Sequence, residues 1–142
     1  FITLDGGVFL SGKFDRLHQT QPFSVLATAF NKYCDILIQE ADKEHTKLVA
    51  SKLEEALGRD ACHLVKVIPN LGELIWSRDD SEAEQSCVDP QEKIMYLMCR
   101  FVETVTSCSN KVLTMYFDDV QWAPGEVKPL YMKSVVDNFF SI

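Results

Sequence analysis

No two cysteines in this chain are spaced CxxC. The five present, Cys34, Cys62, Cys87, Cys99 and Cys108, are odd in number and scattered. That pattern indicates neither a disulfide framework nor a zinc site. Cys62 and His63 are adjacent, but no second ligand pair follows at finger spacing. The thiols read as small apolar side chains in a reducing compartment, which leads us to expect a cytoplasmic protein. A basic cluster is missing as well. Fourteen Lys and Arg stand against 21 Asp and Glu, for a net charge of -7. Such a surface repels phosphate backbones and argues against direct nucleic-acid binding. No run approaches ~20 consecutive apolar residues, so no membrane span is expected. There is no secretory signal pattern, no initiator Met and no internal repeat. The ends are apolar, Phe1-Ile2-Thr3-Leu4 and Phe139-Phe140-Ser141-Ile142, and we expect an internal piece of a longer protein.

What is present suits one globular domain over residues 1–142. Hydrophobic residues make up 46% and charged residues 25%, so a core can form. Val8-Phe9-Leu10, with Gly6-Gly7 before and Gly12 after, reads as a buried strand. Pro22 opens a helical pattern in which Phe23, Leu26, Ala27, Phe30, Tyr33, Cys34, Leu37 and Ile38 recur at three- and four-residue spacing. A second helix is predicted over about 43–57, on the stripe Val49, Leu53, Leu57, with Gly58 as its stop. Residues 61–76 hold a shorter apolar segment broken by Pro69. Residues 77–88 are polar and acidic and read as a loop.

Asp89-Pro90-Gln91-Glu92 is a helix start, and Ile94, Leu97, Met98, Phe101, Val102 and Val105 form the stripe that follows. Val112-Leu113-Thr114-Met115-Tyr116-Phe117 is nearly all apolar without alternation, the pattern of a strand covered on both faces. A last helix is expected over 127–140, interrupted near Pro129. This order predicts an α/β fold. The two strands should be parallel neighbours, with helices 22–39 and 90–107 packed on their sheet. Two strands are too few for a complete doubly wound sheet.

The informative segment ends in Asp118-Asp119. A hydrophobic strand carries two carboxylates to its C-terminal end, the edge where ligands bind in open α/β sheets. A Mg-nucleotide site needs one carboxylate to hold the metal, usually through its waters. It needs a second group to orient or deprotonate the attacking water. The bland alternative is an Asp-Asp pair that merely ends a strand and opens a turn.

Asp118-Asp119-Val120-Gln121-Trp122-Ala123 resembles the extended Walker B segment of signalling ATPases in the AAA/STAND group. That group includes the origin-recognition-like AAA modules of large sensor kinases and transcriptional regulators. Upstream, Ser11-Gly12-Lys13-Phe14-Asp15, then Gln21-Pro22-Phe23-Ser24 and Ala29-Phe30, resembles the second strand and next helix of the same modules. The resemblance implies a partial three-layer P-loop fold, with parallel strands flanked by helices and without the first strand and the Walker A loop. It implies ATP and Mg²⁺ as ligands, and hydrolysis used as a conformational switch. Asp118 would be the nucleotide-associated acid that holds Mg²⁺ through water, and Asp119 the catalytic acid. The partners implied are the nucleotide and output domains of the same polypeptide, such as a kinase, a cyclase or a regulator. Pro124 departs from the pattern, since relatives often carry another acidic residue there.

Gly7-Val8-Phe9-Leu10-Ser11-Gly12-Lys13-Phe14 fits G-x-x-x-x-G-K and then fails at Phe14, where a Ser or Thr hydroxyl is needed for Mg²⁺. Its middle is strand-like, whereas a phosphate loop must curl its N–H groups around the ligand. Lys13 is therefore set aside, and the true phosphate loop is expected upstream of Phe1. His18, His45 and His63 are scattered. Trp122 is expected to pack the loop behind the acids rather than to stack on a base. The competing reading is a non-catalytic interaction domain that keeps the ATPase fold.

Overall fold

A computed structural model of the chain describes residues 7–18, 23–75, 90–109 and 111–123. The chain divides into two compact units. One holds the described residues up to Phe30 and from Lys111 onward, and the other is Asn31–Asn110.

In the first unit, β1 (Val8–Lys13) and β2 (Leu113–Asp118) pair in parallel. The register runs from Val8 opposite Leu113 to Lys13 opposite Asp118. The Val8 N–H donates to the Val112 carbonyl at 2.8 Å, and the Phe14 N–H to the Asp118 carbonyl at 3.1 Å. The expected pairing of these two segments is thus present. The expected burial of β2 on both faces is not. Leu113, Met115 and Phe117 are half-buried, while Thr114 and Tyr116 are exposed. On β1, Val8 and Leu10 are buried, while Phe9 and Ser11 are exposed. Successive side chains point to opposite faces of a strand, so one face of the pair is covered and the other is open. Thr114 and Tyr116 each carry a hydroxyl, which suits an exposed position and which an apolar count overlooks.

Gly12 is placed by packing. A Cβ there would collide with Val25 Cγ1 and come within 3.3 Å of the Phe117 ring. Only a residue without a side chain lets the first turn of α1 (Ser24–Gln39) lie this close to the strand. The fold is therefore mixed α/β and mostly helical, with a two-stranded parallel sheet among the described residues.

The second unit takes in α1 from Asn31 onward, then α2 (Lys43–Leu57), α3 (Ala61–Val65), α4 (Pro69–Ile75) and α5 (Pro90–Cys108). Asp42 caps α2 by accepting the His45 N–H at 3.1 Å. Val49, Leu53 and Leu57 bury one stripe of α2, and Gly58 ends it at φ 55° with its N–H on the Glu54 carbonyl. Pro69 begins α4 rather than breaking a helix, since the first turn needs no N–H from it. Within its own unit, helix α5 packs on α2 and α3. Tyr33 meets Phe101 edge-on, with centroids 6.3 Å apart at 86°. Leu53, Leu64, Leu71 and Phe101 are fully buried, each worth about 1.5–3 kcal/mol of transfer free energy.

The expected caps at Pro22 and Asp89, the loop 77–88 and the helix 127–140 lie outside the described residues. No helix among the described residues is long and apolar enough to cross a membrane.

Candidate functional site

Parallel pairing sends both strands out at the same edge. Their last residues, Lys13 and Asp118, are register partners there. Phe14 and Phe117 pack beneath that edge with centroids 6.1 Å apart, and Phe14 is buried. The strand ends are thereby held together by apolar contact, and the polar groups project from a fixed base.

Just past β2 the chain turns sharply. Asp119 takes the left-handed conformation, φ 54° and ψ 41°, and among the described residues it is the one non-glycine with positive φ. Aspartate is among the few side chains that enter this region readily. Its N–H donates to Asp118 Oδ1 at 2.9 Å. A 3₁₀ turn, Val120–Trp122, follows, closed by the Trp122 N–H on the Asp119 carbonyl at 2.9 Å.

Each oxygen of the Asp119 carboxylate has a partner. Gln121 Nε2 donates to Oδ1 at 3.1 Å, and Lys13 Nζ lies 3.2 Å from Oδ2. The hydrogen bond that Lys13 donates to the Asp119 carboxylate holds its amine above the ordinary pKa of 10.5, and the charges of Asp119 and Asp118 add to it. The Lys13 side chain is 69% exposed and that of Asp119 32% exposed, so water screens the pair and it contributes little stability. The loop after β1 also reaches the turn. Asp15 Oδ1 accepts the Leu17 N–H at 3.0 Å, and the Arg16 guanidinium carbon stands 5.5 Å from the centroid of the Trp122 ring. Trp122, expected behind the acids, is half-buried with this cation over it.

The two aspartates singled out by sequence therefore share one edge with a lysine that sequence had set aside. Val8–Lys13 is strand along its length, with its backbone groups engaged in the ladder rather than curled around an anion. Lys13 reaches the acids from the neighbouring strand instead. Gln121 and Arg16 were also missed as partners. The available signal was positional: a Gly-Lys at the end of one strand and Asp-Asp at the end of a parallel strand must meet. His45 pairs with Glu40 at 3.0 Å in the second unit and has no place in this set.

Among the described residues no three His, Cys, Asp or Glu side chains converge on one point, so a fully protein-caged metal has no site there. Two adjacent carboxylates at a strand end suit a different ion. Magnesium keeps several waters and can be held by a single carboxylate. With both Asp119 oxygens on Lys13 and Gln121, Asp118 is the residue of this pair whose chemistry suits that role. No protein family, curated protein or solved structure matches the chain.

Proposed function

We propose that this chain supplies the Walker B portion of a P-loop ATPase domain of the AAA/STAND type, in a cytoplasmic multidomain protein that uses ATP as a switch. The observation that carries it is the meeting of Asp118, Asp119 and Lys13 at the C-terminal edge of two parallel strands. In this reading the phosphate loop is supplied by sequence upstream of Phe1, and the output domain (kinase, cyclase or regulator) lies in the same polypeptide.

The two acids divide the work by position. Asp118, fixed at the strand end, would hold Mg²⁺. When bound, that ion neutralises charge on the phosphate oxygens. Asp119 sits on the turn with its carboxylate aimed elsewhere by Lys13 and Gln121, and it orients the attacking water. As the water oxygen bonds to the terminal phosphorus, the bridging P–O bond breaks. ADP leaves with that electron pair, and the water's proton goes to Asp119 and then to solvent.

One observation favours a second reading. Both oxygens of Asp119 are engaged, which suits a domain that keeps the fold and binds partners without hydrolysis. Turnover separates the two. The test of the first reading is calorimetric titration of the full-length protein with ATP, with and without Mg²⁺, beside Asp118→Asn. Binding that depends on Mg²⁺ and loses that dependence in Asp118→Asn supports it. Identical titrations for the two proteins would remove Asp118 from the metal and the reading with it.

A further inference from the structure

We propose that Lys13 adds a contact to the terminal phosphate of the bound nucleoside triphosphate, beyond those of the phosphate loop, leaving Asp119 to do so, and that it distinguishes triphosphate from diphosphate. The inference rests on the nucleotide reading of this edge and adds a residue to it.

Three features of Lys13 lead here. Its position is fixed, because it ends β1 directly opposite Asp118 in a parallel ladder. Its amine is on the acids' side of the edge, 3.2 Å from Asp119 Oδ2. Its stem is exposed, so the ammonium can move by rotamer changes in solvent with no core to disturb. An exposed pair of this kind is weak, and a group of higher charge can take the cation from it. A terminal phosphate held beside Asp118 would carry more negative charge than the Asp119 carboxylate. Charge-assisted bonds to phosphate are short and strong. Transfer of Lys13 to that phosphate leaves Asp119 Oδ2 open to a water, while Gln121 still holds Oδ1. A diphosphate has no group at that place, so Lys13 stays on Asp119.

The competition between Asp119 and phosphate for one ammonium gives a signature that a merely structural lysine lacks. Removing the Asp119 charge frees Lys13, so ATP should bind more tightly. That gain should vanish once Lys13 is gone.

The experiment measures ATP, ADP and inorganic phosphate affinity in the full-length protein for wild type, Lys13→Met, Lys13→Arg, Asp119→Asn and the Lys13→Met/Asp119→Asn double variant. Lys13→Met should weaken ATP by about 10- to 100-fold, the worth of a hydrogen bond to a charged group, and shift ADP by less than about 2-fold. Lys13→Arg should restore most of the loss. Asp119→Asn should tighten ATP several-fold, and the double variant should match Lys13→Met. Equal loss of ATP and ADP in Lys13→Met, or a gain from Asp119→Asn that persists without Lys13, overturns the assignment. If Asp119→Asn still stops turnover in that case, the nucleotide reading stands and only the lysine role falls. Weakened phosphate binding alone, with ATP and ADP untouched, would assign Lys13 to a free-anion site and equally overturn it. A wild-type protein that binds no ATP removes both.

Discussion

The amine of Lys13, the last residue of β1, lies 3.2 Å from Oδ2 of Asp119, the first residue past β2. One side chain thus ties the ends of two strands separated by about a hundred residues of sequence. It does so through a residue whose backbone is left-handed. The fold brings the groups together, and the turn sets the direction of the carboxylate.

That turn makes a stability prediction independent of any ligand. Asp119→Asn keeps a side chain that tolerates positive φ, and its urea midpoint should stay close to wild type. Asp119→Val places a β-branched residue there and should cost about 1–2 kcal/mol more. Equal midpoints for the two variants would mean that the left-handed turn is not retained in solution.

Gly12→Ala should destabilise by about 1–3 kcal/mol, the range for overpacking. The new methyl meets Val25 Cγ1 and the Phe117 ring. Trimming the obstacle with Val25→Ala should make the double variant more stable than the sum of the singles. Simple additivity, read from denaturant midpoints, would show that strand and helix are not in contact at this point.

Alkaline pH should weaken the helical unit. Burial pushes the Cys34 thiol from 9.0 up to about 12 and the Tyr33 hydroxyl well above its ordinary 10.0. Both groups are neutral acids when folded, and the unfolded chain ionises first. Their contribution is therefore complete below about pH 9 and is lost as pH rises towards the folded values, at about 1.4 kcal/mol per unit for each group in its window. Stability measured from pH 8 to 11 should fall, and Cys34→Ala should flatten the first part of the fall. A flat wild-type profile would place Cys34 in water.

How much of this was legible in the sequence depends on the kind of signal. Helix periods in α2 and α5 and the parallel strand pair were readable, because apolar spacing records burial directly. The open face of β2 was not, since the exposed Thr114 and Tyr116 sit in an apolar run and only their polar hydroxyls set them apart from it. Asp118 and Asp119 stood out as adjacent carboxylates after a strand. Lys13 did not, because sequence distance hides a register partner, and because its Gly-x-x-x-x-Gly-Lys frame suggested a phosphate loop that strand β1 rules out. Gln121 and Arg16 act through a 3₁₀ turn and a ring contact that spacing does not encode.

The proposed division of labour between the two aspartates is tested most directly by steady-state ATP hydrolysis in the full-length protein, measured beside nucleotide affinity for Asp118→Asn and Asp119→Asn. Asp118→Asn should weaken both Mg²⁺-dependent binding and turnover. Asp119→Asn should bind ATP at least as well as wild type while turnover falls by roughly 10²–10⁴, the worth of a positioned acid–base group. Small and equal effects from the two substitutions would contradict a nucleotide site here and return Asp118-Asp119 to a turn that ends a strand.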